Sequence, residues 1–197
     1  MENNPLRLDF KIILDMVKPG ATVLDLGCGD GDLMYLLKDQ KQCRVTGIEL
    51  DEKLIYQCIE KGLSVNHGDI DTELTDFSDK RFDYVILNES LQQVYYPKQV
   101  ILESFRIGKK VIVGIPNFCS LEARLQIMFN GRVPVTKELP FEWFDTPNLR
   151  FLSIKDFRDF CDENKIRILK EKGIAKNQVI NRFKNLLALN CIFLLEK

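Results

Sequence analysis

Three glycines, Gly27, Gly29 and Gly31, follow the apolar run ATVLDL at 21–26, with Asp25 just before them and Asp30 and Asp32 around the last of them. Glycine permits positive φ and lets a ligand lie close to the backbone. Two chemistries use such a loop: a cradle for phosphates, or a seat for a ligand without them. The dinucleotide fingerprint G-x-G-x-x-G needs a glycine at 32, where Asp stands, so the pattern here is G-x-G-x-G. No Lys or Arg lies between 19 and 37, and no P-loop lysine follows the glycines. A diphosphate would meet carboxylates with no basic neighbour in the sequence. A ligand carrying an ammonium or a sulfonium suits them.

S-adenosylmethionine (SAM) carries both cations, and its carboxylate fits the N–H groups at a helix start. Two further acids fall where such a nucleoside needs them. Glu49 closes the run CRVTGIEL, 20 residues after Gly29, and an acid there accepts both ribose hydroxyls. Asp69, in GDI at 68–70, can accept from the adenine amino group while nearby backbone reads the ring edge. Each feature alone is equally a turn glycine or a solvated loop acid; in order, each at a strand end, they form one site. The expected cofactor-binding set for SAM or S-adenosylhomocysteine (SAH) is Asp25, Gly27, Cys28, Gly29, Glu49, Leu50, Asp69, Ile70 and Asn88. Asn88 stands with Glu89 and Gln92 after the fourth strand, where cofactor or acceptor is met.

The elements that must hold these residues alternate. An amphipathic helix over 6–17 precedes strand 21–26, and a helix starts at Gly31. Strand 43–50 leads to a helix capped by Asp51 and stopped at Gly62. Strands 63–68 and 82–90 follow, then a helix opened by Pro97 and running to Ile107, and strand 109–116. Helices at 120–131 and 153–164 precede two closing strands, KIRILKEKGI and NLLALNCIFLLEK. Near-continuous apolar strands such as FDYVILNES suit a parallel sheet covered on both faces. The alternation implies one α/β domain, doubly wound and Rossmann-like, with ligands at the carboxyl ends of its strands.

Composition adds limits. The 197 residues are 45% hydrophobic and 29% charged with net charge −1, which offers no basic field for nucleic acid. No apolar stretch nears the roughly 20 residues of a membrane span, and MENNPLRLDF is no secretory signal, so a cytoplasmic location is expected. The six cysteines have no CxxC spacing and read as buried, reduced thiols. His67 is the only histidine, so a triad or a histidine metal site would rest on it alone. It reads as a partly packed strand-end imidazole. Catalytic residues stay unassigned and no metal is expected.

VLDLGCGDG, GIELD, GDID and FDYVILNESLQQV resemble the class I SAM-dependent methyltransferase superfamily. VIVGIPNF and then GRVPVTKELPFEWFDTPNLRFLSIKDF, at 131–157, are similar to the MetW family of methionine biosynthesis, a more specific match because general methyltransferases lack that segment. The resemblance implies a seven-stranded sheet whose last strand is antiparallel. It implies SAM or SAH at Asp25, Gly27, Gly29, Glu49 and Asp69. It also implies a partnership with homoserine O-acetyltransferase, since MetW-like proteins are thought to act alongside that enzyme. The superfamily's amide-nitrogen acceptor signature is absent, with NESL in its place.

Residues 116–152 exceed the usual connection and hold Pro134, Pro140 and Pro147 with Phe141, Trp143, Phe144 and Phe151. They form a lid, a docking face or a small core of their own. Lys137, Glu138, Glu142, Asp145 and Arg150 can bind a zwitterion, though a solvated face is the commoner role. Tyr95 and Tyr96 are expected to pack and to cap the helix at Pro97. Methyl transfer mainly needs alignment in a dry site, so a missing triad does not exclude catalysis. The favoured reading is a SAM- or SAH-binding module acting on an acyltransferase. The alternative is a small-molecule methyltransferase. A nicotinamide dehydrogenase is disfavoured by Asp32 and the acidic loop.

Overall fold

The computed structural model describes residues 6–136 and 138–197. Helix α1 (Leu8–Met16) precedes β1 (Thr22–Leu26), α2 (Asp32–Lys41), β2 (Arg44–Glu49), α3 (Glu52–Glu60) and β3 (Ser64–His67). Then come β4 (Phe82–Asn88), α4 (Pro97–Ile107), β5 (Gly108–Pro116), α5 (Leu121–Asn130) and α6 (Ile154–Glu163). β6 (Arg167–Ala175), β7 (Gln178–Ile180), α7 (Lys184–Leu187) and β8 (Asn190–Glu196) close the chain.

The strands form one sheet in the order β3-β2-β1-β4-β5-β8-β6-β7. β3, β2, β1, β4 and β5 run parallel, and β8 lies antiparallel between β5 and β6. The seven strands with the last one reversed are present. An eighth, the three-residue β7, turns back on β6 through Lys176 and Asn177 at φ 47° and 61°. Two left-handed residues in a two-residue loop match the twist of a hairpin. Without Asn-Gly or Asp-Gly there, the turn carried little sequence signal.

Strand residues alternate between two apolar layers. Val23, Ile86, Ile112 and Ile192 pack with α1 and α2, while Leu24, Val85, Val113 and Phe193 pack with α4 and α6. Both faces are covered, which is why β4 and β5 read as unbroken apolar runs. α6 begins with a capping box in which Ser153 and Asp156 satisfy each other's backbone N–H groups.

One expected element differs. The apolar run NLLALN suits the start of a strand, but 184–187 form a helical turn and the strand begins at Asn190. The turn is pinned by polar side chains. Asn117 Nδ2 donates to the carbonyls of Asn185 and Ala188, and Asn185 Oδ1 accepts from Lys155 N at the start of α6. Apolar periodicity over a few residues cannot report bonds to such distant partners.

Candidate functional site

β1 is flanked by β2 on one side and β4 on the other, so the sheet reverses winding direction there. Such a switch point opens a crevice at the carboxyl ends of the strands. A pocket of about 340 Å³ lies in it, lined by Gly27, Gly29, Glu49, Leu50, Asp69 and Ile70 from the turns after β1, β2 and β3. These are six of the nine residues singled out from the sequence.

Glu49 ties two of these turns together. Its Oε2 accepts from Gly29 N at 2.8 Å, and its Oε1 accepts from Leu50 N at 2.8 Å and Asp51 N at 3.0 Å. A carboxylate has about four acceptor positions, so capacity remains for hydroxyl donors entering the pocket. Asp69 Oδ1 accepts from Asp71 N at 2.9 Å, which fixes its turn.

Gly27 has φ +72°, and a Cβ there would stand 2.8 Å from Ser90 Cβ. Ser90 Oγ donates to Leu26 O at 2.8 Å and holds that neighbour in place. Gly27→Ala is expected to cost about 1–2 kcal/mol in left-handed strain alone. Chemical denaturation measures it, and an unchanged midpoint would mean the turn relaxes freely.

Asp25 lies behind the pocket in the second-last position of β1 and is 2% exposed. No described residue donates a hydrogen bond to its side chain. Burial, and then the Glu49 charge, push its carboxyl up to about 7. An uncompensated acid in that position favours a cation nearby.

Cys28 and Asn88 do not line the pocket. Cys28 is buried against Cys58, Met34 and Leu63, and burial pushes its thiol up. Asn88 donates through Nδ2 to Asp9 Oδ2 at 3.0 Å, on the α1 side. Asp30 and Asp32 are also turned elsewhere. Lys61, at the end of α3, donates to Asp30 O at 2.8 Å and pairs with both carboxylates. The glycine loop thus has a basic neighbour after all, supplied from 29 residues beyond Asp32. His67, expected to be partly packed, is exposed, because β3 is an edge strand of the sheet.

Other residues in the pocket carried no sequence signal as ligands. Asp71 accepts from Tyr95 N at 2.8 Å and Tyr96 N at 2.9 Å, so the turn after β3 grips the loop after β4. Tyr95 and Tyr96 are each 63% exposed; their backbone is held while their rings project outward, contrary to the packed role expected. Tyr95, Gln93 and Ser90 complete that wall.

A second cavity of about 410 Å³ adjoins the first and shares Glu89 and Gln93 with it. Arg7, Gln92, Glu138 and Phe141 are among its walls. Of the five charged residues considered for a zwitterion, only Glu138 lies there, and Lys137 falls outside the described residues. Glu142 and Asp145 are exposed. Arg150 Nη2 donates to Tyr95 O at 2.8 Å.

A family model described as "Methionine biosynthesis protein MetW" matches residues 7–195. The chain belongs to the MetW family. A "Bifunctional methionine biosynthesis protein MetXA/MetW" of Rhodopirellula baltica is 34% identical over 175 residues, 84% of this chain and 28% of that protein. A "Ubiquinone biosynthesis O-methyltransferase" of Hahella chejuensis is 35% identical over 195 residues, 93% of this chain and 78% of that protein. Among solved structures, a SAM-dependent methyltransferase from Archaeoglobus fulgidus superposes with a TM-score of 0.72 over 96% of this chain and 91% of its own, at 15% identity. The fold is that of class I methyltransferases. No helix among the described residues is long and apolar enough to cross a membrane.

Proposed function

We propose that the first pocket binds SAM or SAH, and that the chain serves methionine biosynthesis together with homoserine O-acetyltransferase in forming O-acetylhomoserine. The observation that carries the ligand reading is the convergence of three strand-end turns on one pocket, with an oriented acid in its wall and a buried, uncompensated acid behind it. Glu49 receives the ribose hydroxyls. Leu50, Leu54 and Ile70 supply apolar walls for the adenine, with Asp69 at its amino group. Gly27 keeps the backbone bare beside the nucleoside, and Asp25 lowers the cost of bringing in its positive groups. SAM, when bound, supplies an electrophilic methyl group on a sulfonium.

Calorimetry with SAM, SAH and NAD tests this reading. SAM or SAH is expected to bind and NAD is not; binding of NAD alone would overturn it.

Two lines support the partner: the family match, and the two-part MetXA/MetW name of the Rhodopirellula relative. The segment 116–152 is the docking face in this reading. Trp143 and Phe144 are 73% and 70% exposed and stack edge to face on each other, and Met128 and Phe129 of α5 are exposed as well. Large exposed apolar patches mark interaction sites. Changing both Trp143 and Phe144 to Ser is expected to reduce co-purification with homoserine O-acetyltransferase at least tenfold. Stability should move by no more than about 0.5 kcal/mol. Undiminished capture would remove this face, and an acyltransferase assay with and without the chain would test the pathway role.

A second reading, a catalytically active small-molecule methyltransferase, is favoured by the Hahella relative. Transfer of label from methyl-labelled SAM to a cell metabolite would support it.

A further inference from the structure

We infer that the second cavity binds a small α-amino acid through its ammonium group, at the same time as the first pocket holds its nucleoside. The inference rests on the first pocket being that nucleoside's site.

Several of the cavity's donors are already engaged by its own acceptors. Arg7 gives its Nε and Nη2 to Asp9 at 3.1 and 2.7 Å, and Nη2 also reaches Glu89 Oε2 at 3.0 Å. Asn190 Nδ2 donates to Glu89 Oε1 at 3.0 Å. Gln92 is 4% exposed; its Nε2 donates to Glu89 O at 2.7 Å, and its Oε1 accepts no hydrogen bond from the described residues. The amide oxygens of Asn88 and Asn190, the latter the donor to Glu89, are also buried and accept none from the described residues. A buried acceptor left unmade costs about 1–3 kcal/mol, so a ligand that donates is favoured over one that accepts.

Charge selects the donor. Among the described residues one guanidinium, Arg7, stands against the two carboxylates of Asp9 and Glu89. A primary ammonium brings three N–H donors and a positive charge, and Glu89 and Gln92 Oε1 are there to receive them. Arg7 Nη1, which bonds to no other described residue, is the place for the ligand's carboxylate. Glu89 is held rigidly for this task. It has φ +61° and donates through its N–H to Gly114 O at 2.9 Å. A non-glycine residue in that conformation persists only where its surroundings impose it.

The chain saturated with SAH is titrated with L-methionine, L-homoserine, 3-(methylthio)propylamine and 2-hydroxy-4-(methylthio)butanoate. At least one amino acid is expected to bind, and the hydroxy acid, lacking the ammonium, at least tenfold more weakly. Gln92→Leu should weaken the amino acid at least tenfold and leave SAH affinity within twofold. Arg7→Gln should weaken the amino acid and spare the amine. The ammonium comparison is made on the unaltered chain, so it does not depend on a variant folding. Equal binding of the hydroxy acid, displacement of the amino acid by SAH, or no amine binding while SAH binds would each overturn the inference. If SAH itself fails to bind, the nucleoside reading falls. The amino acids are then titrated on the free chain, where binding would support the ammonium site and its absence would overturn it.

Discussion

Asp25→Asn is expected to stabilise the ligand-free protein above pH 7, by on the order of 2–3 kcal/mol, while weakening SAM about tenfold or more. The carboxyl is pushed up to about 7 by burial and by Glu49, against about 4 in an unfolded chain. A folded-state pKa above the unfolded one means that this group's stabilising contribution is complete below about pH 4 and is lost as pH rises through about 7. The neutral variant should therefore lose that slope. Denaturation midpoints at pH 5 and pH 8 measure it: the gain should be large at pH 8 and small at pH 5. Cation binding favours the ionised acid, so SAM affinity of the unaltered chain should rise with pH through about 7. A variant no more stable than its parent at pH 8 would mean that the acid is compensated.

Glu49→Ala is expected to weaken SAM and SAH by about 30- to 300-fold, the effect of losing charge-assisted bonds to two hydroxyls worth roughly 2–3.5 kcal/mol. Its effect on stability should be small, because two changes oppose. Three backbone N–H groups lose their acceptor but can turn to water, and Asp25 loses the charge that disfavours its ionisation. The two substitutions are therefore non-additive. In a double-mutant cycle, the stability gained from Asp25→Asn should shrink when Glu49 is already Ala. Calorimetry and denaturation on the four proteins give both numbers. Full additivity would show that the two carboxylates do not sense each other.

The parts of this molecule that sequence made legible are those in which local chemistry decides. Apolar runs, turn glycines and the acid that ends β2 placed the sheet, its switch point and six of the residues that line the first pocket. What escaped depends on residues far apart in the chain. Lys61 neutralises Asp30 and Asp32 across the gap between α2 and α3, so these acids were mistaken for part of a free anionic loop. Asn88 was assigned to the cofactor as a strand-end residue, but its amide turns to Asp9 on α1. Arg7 drew no attention, as one charged residue at the start of the first helix; only folding brings it to Glu89, 82 positions later. Pairings of this kind have no period and no motif.

The placement of β8 between β5 and β6 constrains the order in which the sheet can be completed. During synthesis the β6–β7 hairpin leaves the ribosome before the strand that joins it to the rest. Until residues 190–196 emerge, β5 keeps an unpaired rim and the hairpin has nowhere to attach. Nascent chains halted in that interval would offer two open strand rims to one another, the usual start of aggregation.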